Sequence, residues 1–396
     1  MSHALSLGIF TYSVKPRGSV VHAACLAEAL ADEGARVTLY ALAKGGDRFF
    51  RELRVPLVTF PAGPAPAEPD ALIEQRVREL QAGLAQVRGR HEILHAEDCL
   101  TANALVTAAG FGLSPVVRTV HHVEHYASPY LAACQRRSIE NSDLVLSVSA
   151  RTAREVAAEF GRPSAVVHNG VDIERFRARA TVPGLAGELG IRADDVLVLS
   201  VGGVEERKNT LRALEAVVAA MAENRRIRWL VVGGASIWGH GELERRFDER
   251  VRALPRAIRH RIRRTGPVDE AALTWLYRRS DLLFCPSLHE GWGLCALEAM
   301  AAGTAVIASD REPFTEFLDR DVALLVDPGS TRDMTFALAT LASDADHRAD
   351  LGRAGRRRAR EFTWQRAARA HLSAYRALVA ERRAAAPKRP AAASGA

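Results

Sequence analysis

Short runs of apolar residues alternate with segments of helical periodicity along most of the chain. In the first half, strands are predicted at Leu5–Thr11, Arg36–Leu42, Leu57–Phe60, Ile93–Ala96, Val116–Val120, Leu144–Val148 and Ala165–His168. In the second half, they are predicted at Val196–Gly202, Arg228–Gly233, Asp281–Cys285, Thr304–Ser309 and Val322–Val326. Helical segments between them include Val20–Ala31, Ser138–Asn141, Thr210–Ala222, Glu270–Arg279 and Leu294–Ala302. Because the strands are apolar throughout, the pattern predicts parallel sheets covered by helices on both faces.

The two series of strands predict two doubly wound α/β domains that face each other across a cleft. Periodicity is poor around Arg175–Asp195, where proline and glycine cluster, so we place the domain junction there. The predicted domains are residues 1–178 and 179–362. Residues 363–383 predict a long, arginine-rich amphipathic helix, and the low-complexity tail 384–396 is predicted to be disordered.

Composition excludes several classes of protein. Of the 396 residues, 48% are hydrophobic and 26% charged, which is typical of globular domains. No apolar stretch approaches the roughly 18–20 residues of a membrane span. The start, MSHALSLGIFTYS, has no basic region, so we expect no signal peptide. We expect buried thiols in a reducing cytoplasm, without zinc or disulfides, because no CxxC or Cys/His spacing occurs among Cys25, Cys99, Cys134, Cys285 and Cys295.

The chain is basic, with a formal net charge of +7. Most of its cations are arginines, since the lysines are only Lys15, Lys44, Lys208 and Lys388. An excess spread over the whole chain does not indicate a nucleic-acid surface. The basic run Arg256–Arg264 lacks interleaved aromatic residues, so we predict a solvated helix face there. A basic surface still favours an anionic substrate or an anionic membrane.

The most informative segment, PSLHEGWGLCALEAM at 286–300, follows a predicted strand. In a doubly wound sheet, ligands bind beyond that end of a strand. Gly291 and Gly293 allow a ligand to approach the backbone closely. The helix that opens near Leu294 presents unpaired N–H groups and a positive dipole end, which suits an anion.

Two carboxylates eight residues apart belong to this segment. Glu298 lies on the first turns of the predicted helix, where it can accept hydrogen bonds from a vicinal diol such as a ribose. Glu290 lies in the preceding turn and is predicted to point into the cleft. The alternatives are a helix-capping role for Glu290 and a surface position for Glu298.

A second segment, SVGGVEERKNT at 200–210, ends the first predicted strand of the second domain. Arg207 and Lys208 place two cations where a diphosphate would bind. Asn209 or Thr210 is predicted to cap the following helix. The alternative is a pair of solvated surface cations, which the rarity of lysine and the position make less attractive.

Two segments of the first domain carry weaker signals. Gly18 and Ser19 lie in the first strand-to-helix turn and could offer backbone N–H groups to a phosphate, or form a plain turn. Neither a GxGxxG fingerprint nor a GxxxxGK[ST] loop is present. A strand also ends in RTVHHVEH, with imidazoles at His121, His122 and His125. Their spacing disfavours zinc, so we expect a histidine that hydrogen-bonds a substrate hydroxyl, or a polar loop.

Together, in this order, these segments resemble the retaining glycosyltransferases of the GT-B fold, which have two Rossmann-like domains. The resemblance is to the glycosyltransferase family 4-like enzymes, or glycosyl transferases group 1. It covers residues 1 to about 380. It is carried by the Glu290–Glu298 segment, GGVEERKN at 202–209, VVHNGVDIERF at 166–176 and the strand-ending His121.

The resemblance implies roles for donor-site residues in the second domain. Arg207 and Lys208 match the basic pair that neutralises the donor diphosphate. Glu298 matches the carboxylate that binds the donor ribose, and Glu290 the one that faces the donor sugar. The backbone that would hold sugar and phosphates runs through Gly291, Trp292, Gly293 and Leu294.

In the first domain, His121 matches the histidine that contacts the donor sugar near the reacting centre. Gly18 and Ser19 match the glycine-rich turn near the donor phosphates. There are two departures from the family's pattern. Gly203 stands where many members have arginine, so that role would fall to Arg207, and Ser19 stands where many have a second glycine.

The resemblance implies transfer of a sugar from a UDP-, GDP- or ADP-sugar to an unknown acceptor hydroxyl, with retention and front-face attack. It implies no cofactor and no metal; the Asp344–Asp346 pattern reads as a loop and surface helix. We expect a cytoplasmic enzyme that does not bind nucleic acid, with peripheral membrane association left open. The alternatives are a nucleotide-sugar epimerase or hydrolase on the same fold, and a non-catalytic basic binding protein.

Overall fold

The structure is a computed structural model that describes residues 4–108, 114–177, 181–234 and 241–385. Its strands are β1 (Ser6–Thr11), β2 (Arg36–Lys44), β3 (Leu57–Ala62), β4 (Ile93–Ala96), β5 (Val116–Val120), β6 (Leu144–Ser147), β7 (Ala165–Val166), β8 (Val196–Val201), β9 (Ile227–Val232), β10 (Ile262–Gly266), β11 (Leu282–Cys285), β12 (Ala305–Ser309) and β13 (Leu324–Val326).

The helices alternate with these strands. They are α1 (Gly18–Asp32), α2 (Pro69–Gly83), α3 (Cys99–Ala108), α4 (Pro129–Glu140), α5 (Ala150–Phe160), α6 (Ile173–Arg177), α7 (Leu185–Glu188), α8 (Thr210–Glu223), α9 (Gly241–Ala253), α10 (Arg256–Arg259), α11 (Glu270–Arg279), α12 (Leu294–Ala302), α13 (Thr331–Ser343), α14 (Ala345–Ala359) and α15 (Trp364–Ala385).

The strands form two parallel sheets, as the apolar pattern predicts. The first has the order β3-β2-β1-β4-β5-β6-β7, and the second has the order β10-β9-β8-β11-β12-β13. Strand order therefore reverses between β1 and β4 in the first sheet and between β8 and β11 in the second. Ligands bind beyond the strand ends at such reversals, because the loops there diverge to opposite faces of the sheet and leave a crevice.

One strand, Ile262–Gly266, was not predicted from the sequence. The solvated helix predicted over Arg256–Arg264 is wrong in its second half, where Ile262–Gly266 forms the edge strand β10. Ile262 is buried, whereas Arg264 pairs with Glu244 at 2.6 Å and with Asp248 at 2.8 Å. An edge strand tolerates such charged side chains. Because of them, the segment lacks the continuous apolar run by which the other strands were predicted.

The C-terminal helix α15 packs on the first sheet's side of the molecule. Trp364 and Tyr375 are buried in the same apolar cluster as Leu7 on β1 and Leu26 on α1. Arginines along the helix reach first-sheet carboxylates in three pairs: Arg369 with Glu33, Arg382 with Asp143 and Arg383 with Glu92. The last helix therefore returns to the domain in which the chain begins.

The helix α15 extends to Ala385, so the first two residues of the predicted tail are helical. The rest of that tail, from residue 386, lies outside the described residues, as does the predicted domain boundary at 178–179. The domain limits stay a prediction.

None of the helices in the described part of the chain combines the length and apolar character needed to cross a membrane. Peripheral membrane association and a cytoplasmic location stay predictions. The five cysteines are free, with Cys134, Cys285 and Cys295 buried, but Cys25 and Cys99 only partly so, which corrects the expectation that all five are buried.

Candidate active site

The loops that follow β8 and β11 meet at the strand reversal of the second sheet. Lys208 Nζ lies 2.5 Å from Glu290 Oε1, and Arg207 Nη1 lies 3.2 Å from Glu290 Oε2. Ser287 Oγ donates a hydrogen bond of 2.8 Å to Glu290 Oε1. The fold thus brings together residues that are more than 80 positions apart in the sequence.

Backbone geometry holds these two loops together. The Leu288 amide donates to the Arg207 carbonyl at 2.8 Å. Gly202 has a φ of 123°, and a Cβ at this position would lie 2.8 Å from Lys208 Cε, so glycine leaves room for the lysine side chain. Asn209 has a φ of 59°, and its amide donates to the carbonyls of Pro286 and Pro328 at 3.2 and 2.7 Å.

Asn209 precedes α8, but its side chain makes no capping hydrogen bond. The prediction that Asn209 or Thr210 caps this helix is confirmed in position, because Asn209 is the N-cap residue. Its amide joins three loops instead of bonding the helix N-terminus. Gly203 is also structural in this arrangement. It has a φ of 77°, and a Cβ there would lie 2.6 Å from the Gly234 carbonyl oxygen.

The ion pairs set the charge states of the site. Burial disfavours the charged form of Glu290, but Lys208 and Arg207 outweigh it and lower the pKa of Glu290 to about 2. Burial likewise disfavours the Lys208 ammonium, yet Glu290 raises its pKa above the ordinary value. Glu290 is thus held by cations in the structure, and its place facing the donor sugar stays a prediction. Arg207 is the more accessible cation, with 42% of its side chain exposed against 13% for Lys208.

The N-terminus of α12 lies just beyond this cluster and has no side-chain cap. Gly293 precedes it with a φ of 100°, and Leu294 opens the helix. The Trp292 ring is buried and stacks on His168 and Phe317, with ring centroids 4.4 and 4.7 Å apart. The backbone N–H groups of this turn, and not the Trp292 ring, are therefore positioned to meet an anion.

Glu298 occupies the first turns of α12, as predicted. The hydroxyl of Tyr277 donates to its Oε2 at 2.7 Å. Burial raises the pKa of Glu298, although Arg175 acts in the opposite direction. Arg175 also pairs with Glu270 at 3.0 Å, and Glu270 lies 3.7 Å from Arg51 of the first domain. The Glu298 side chain is half-buried. Because its neighbour Arg175 connects through Glu270 to Arg51, Glu298 lies near the boundary between the domains.

Across the cleft, the loop after β5 touches the loop after β11. A Cβ on Gly291 would lie 1.9 Å from the carbonyl oxygen of His121, so only glycine allows this approach. The structure thus brings His121 against the segment that contains Glu290. Gly18 and Ser19 lie at the strand reversal of the first sheet, at the start of α1. Gly18 is exposed and Ser19 is half-buried, and the helix has no side-chain cap.

His121 also has a partner that the sequence analysis missed. Its Nε2 lies at a hydrogen-bonding distance of 3.0 Å from Oε2 of Glu97, a fully buried residue after β4. His22 Nδ1 lies 2.9 Å from the same oxygen. The sequence feature that could have pointed to Glu97 is its position directly after a predicted strand, in the segment HAED at 95–98. Of the neighbouring imidazoles, His122 contacts Glu124 at 2.7 Å.

Two parallel sheets joined across a cleft, with basic side chains and an uncapped helix N-terminus at one strand reversal, are typical of the GT-B glycosyltransferases. Residues 185–358 match the family model described as glycosyl transferases group 1, and residues 16–175 match the model described as Glycosyltransferase Family 4. The chain belongs to the glycosyl transferases group 1, the family 4-like glycosyltransferases. The sequence predictions of fold and family are confirmed.

Curated relatives share most of the chain. A D-inositol 3-phosphate glycosyltransferase of Saccharomonospora viridis is 30% identical over 344 residues, or 81% of this chain and 79% of the relative. The enzyme of the same name from Salinispora tropica is 31% identical over 77% of this chain and 67% of the relative.

Solved structures share the fold. Sucrose-phosphate synthase from Thermosynechococcus elongatus superposes with a TM-score of 0.78 at 23% identity, over 95% of this chain and all of that one. The Anabaena protein HepE, in complex with UDP and glucose, superposes with a TM-score of 0.76 at 18% identity, over 94% of this chain and all of that one.

Proposed function

We propose that this glycosyltransferase moves a sugar from a nucleotide-diphosphate sugar to an acceptor hydroxyl, with retention of anomeric configuration and without a metal or other cofactor. The observation that carries the proposal is the convergence of Lys208, Arg207 and Glu290 beside the uncapped N-terminus of α12. Two cations and a helix end provide the positive charge that a diphosphate requires.

In the structure, Glu290 pairs with both cations, and Glu205 pairs with Arg207 at 2.7 Å. A donor diphosphate would compete with this carboxylate for Lys208 and Arg207. The displaced Glu290 would then be available to accept hydrogen bonds from hydroxyls of the donor sugar, next to the backbone of Gly291. In this proposal, the donor diphosphate takes the place that the Glu290 carboxylate holds beside Lys208 and Arg207.

In the reaction, the bond between the anomeric carbon and the diphosphate oxygen breaks, and the nucleoside diphosphate leaves with the electron pair. The acceptor oxygen forms its bond to the same face of that carbon, and its proton passes to the departing phosphate oxygen. Negative charge grows on the diphosphate, where Lys208, Arg207 and the α12 N-terminus are already oriented to stabilise it. The proposed place of His121 is beside the donor sugar, because its loop touches Gly291.

Glu298 is the proposed partner of the donor ribose, since its carboxylate lies on the first turns of α12 and Tyr277 fixes one oxygen. The second domain, 179–362, would therefore bind the donor. The first domain, 1–178, would supply His121, Gly18 and Ser19 and bind the acceptor. The name of the curated relatives makes D-inositol 3-phosphate the first acceptor to assay.

The test has two stages. A thermal-shift screen of UDP-, GDP- and ADP-sugars identifies the donor, because a ligand of the native state raises the melting temperature. Incubation of that donor with and without an acceptor is then followed by NMR of the anomeric proton. A product formed only with the acceptor, in the donor's anomeric configuration, supports the proposal. Inversion, or acceptor-independent epimerisation or hydrolysis, would refute it.

A further inference from the structure

Glu97 lies directly behind His121, on the side away from solvent. The carboxylate is fully buried, whereas 14% of the His121 side chain is exposed. Glu97 Oε2 contacts His121 Nε2 at 3.0 Å and His22 Nδ1 at 2.9 Å. The rings of His22 and His121 meet edge to face with centroids 4.8 Å apart. The carboxylate and the His22 ring therefore fix where the His121 ring lies.

A further layer of residues packs beside Glu97, whose Oε1 has no hydrogen-bond partner among the described residues. His95 Nε2 lies 3.6 Å from Glu97 Oε1 and 2.7 Å from the Thr119 hydroxyl oxygen. The other nitrogen of His95 lies 2.5 Å from the Tyr375 hydroxyl oxygen of α15. The C-terminal helix is thus hydrogen-bonded to the imidazole that lies beside the carboxylate behind His121.

Burial sets the protonation state of His121. Burial lowers the pKa of His121 to about 4, so this imidazole is neutral at pH 7 and carries one N–H. The pKa of His95 falls to about 3, and that of His371 on α15 to about 4, for the same reason. Burial alone would raise the pKa of Glu97, but the surrounding imidazoles outweigh it and hold the pKa well below its ordinary value. The buried cation Arg118 on β5 acts on His121 as well.

We propose that Glu97 is a positioning residue that keeps the proton of His121 on Nε2. The contact at 3.0 Å requires a donor, because an ionised carboxylate only accepts hydrogen bonds. Nδ1 of His121 is then left as an acceptor for a hydroxyl of the donor sugar. The inference rests on the proposed place of His121 beside that sugar, whereas its test by spectroscopy needs no donor.

The same three residues, His22, Glu97 and His121, have potential metal-ligand atoms within 4.8 Å of one another. We favour the hydrogen-bonded arrangement, because His121 Nε2 forms a 3.0 Å hydrogen bond with Glu97 Oε2. Within the described part of the chain, His22 Nδ1 lies 2.9 Å from the same oxygen but has no hydrogen-bond partner. Metal analysis of the purified protein distinguishes a metal site from the hydrogen-bonded arrangement. One equivalent of zinc, removed together with activity by a chelator, would overturn the positioning role.

The direct test is the ¹⁵N NMR spectrum of the histidines in the ligand-free protein, with His121→Ala used to assign the His121 signals. The expected spectrum has hydrogen on Nε2 and a free Nδ1 in the wild type. Glu97→Met, which removes the acceptor, should shift His121 towards a mixture of tautomers, and Glu97→Gln, which keeps an oxygen acceptor, should preserve part of the preference. Hydrogen on Nδ1 in the wild type would overturn the proposal even if the methionine variant fails to fold.

Asp98→Asn is the matched control. Asp98 is the next residue and is also buried, but its carboxylate accepts from the backbone amides of Tyr12 and Thr101 and not from an imidazole. This variant should leave the His121 tautomer unchanged. An equal change in Asp98→Asn and Glu97→Met would show a general effect of the buried charge and contradict a specific role for Glu97.

Kinetics give the second readout once a donor is known. Glu97→Met should lower kcat at least about tenfold, with a smaller change in the donor KM, and its effect should largely disappear in a His121→Ala background. Additive effects of the two substitutions would contradict the proposal. If no donor supports transfer at all, the proposed function fails, while the NMR result still decides the tautomer.

Discussion

The two faces of the cleft are built in different ways. On the second domain, the functional side chains come from two contiguous segments, and they are opposite charges in direct contact, as in the pair of Lys208 and Glu290. On the first domain, the side chains come from α1, from the ends of β4 and β5 and from α15. They are imidazoles around one buried carboxylate, Glu97, with the Tyr375 hydroxyl of α15 beside His95.

The difference shows how each face serves its task. A diphosphate carries full charges, so the proposed donor site of the second domain presents two cations, which the structure pairs with Glu290 and Glu205. The sugar hydroxyls proposed to lie beside His121 are uncharged, so this part of the first domain needs a correctly oriented hydrogen-bond donor or acceptor atom and not a full charge. The variants below test this division, from the largest expected effect to the smallest.

The largest effect is expected from Glu290→Gln on stability. The pKa of Glu290 is lowered from 4.5 to about 2, and at 1.36 kcal/mol per unit this corresponds to about 3 kcal/mol. A lowered carboxylate pKa stabilises the folded state above the unfolded pKa of 4.5. The gap in unfolding free energy between wild type and variant should therefore shrink as pH falls from 4.5 towards 2.

Urea unfolding at a series of pH values measures this gap. Glu206→Gln is the control, because Glu206 is an exposed carboxylate of the same loop as Lys208. Its effect should stay small at every pH. A gap for Glu290→Gln that does not change with pH would argue against an ionised, cation-bound Glu290.

The next largest effect is expected from Lys208→Ala on catalysis. The lysine should make a charge-assisted contact with the donor diphosphate that is worth roughly 1.5–3 kcal/mol. Because charge on the diphosphate grows in the transition state, the loss should appear in kcat as well as in kcat/KM. Arg250→Ala, which breaks a surface pair with Glu215 at 2.8 Å, is the control. Wild-type turnover in Lys208→Ala would reject the assigned role.

A smaller effect is expected from Glu298→Ala on nucleotide binding. Loss of hydrogen bonds to a ribose should cost about 1–2 kcal/mol, which is roughly a five- to thirtyfold weaker affinity by calorimetry. Tyr277→Phe is the matched variant, because it removes the 2.7 Å hydrogen bond to Glu298 but keeps the carboxylate. It should weaken binding less. Unchanged affinity in Glu298→Ala would rule out ribose recognition by this residue.

The smallest effect is expected from metal removal. If Lys208, Arg207 and the α12 N-terminus balance the diphosphate charge, transfer activity should survive EDTA with little change. Inactivation by EDTA with recovery on adding magnesium or manganese would show that the second face needs a metal to complete it. Recovery with zinc alone would point to the imidazoles of the first face.

The two faces also differ in how far the sequence predicts them. The strand at Leu282–Cys285 and the helix at Leu294–Ala302 follow from local apolar patterns, so the positions of Glu290 and Glu298 were predictable. The Glu290 ion pairs were not, because they depend on which strand lies next to which. The edge strand Ile262–Gly266 was missed, since its charged residues resemble a solvated helix.

Glu97 is the clearest case of a residue that local reasoning did not find. Its partners, His22 and His121, are 75 and 24 positions away in the sequence, and His95 is oriented by Tyr375, a further 280 positions along. No local periodicity reports such distances. Only the order of β1, β4 and β5 in the sheet and the return of α15 bring these groups together.

The sequence by itself determined the alternation of strands and helices, the two sheets and the family, because apolar periodicity and short motifs are local properties of the chain. The tertiary structure decided which charges meet, which helix ends are left without a cap and which imidazole faces a carboxylate. These depend on strand order and on the approach of the two domains, as at Gly291 and His121, where atoms far apart in sequence come into contact.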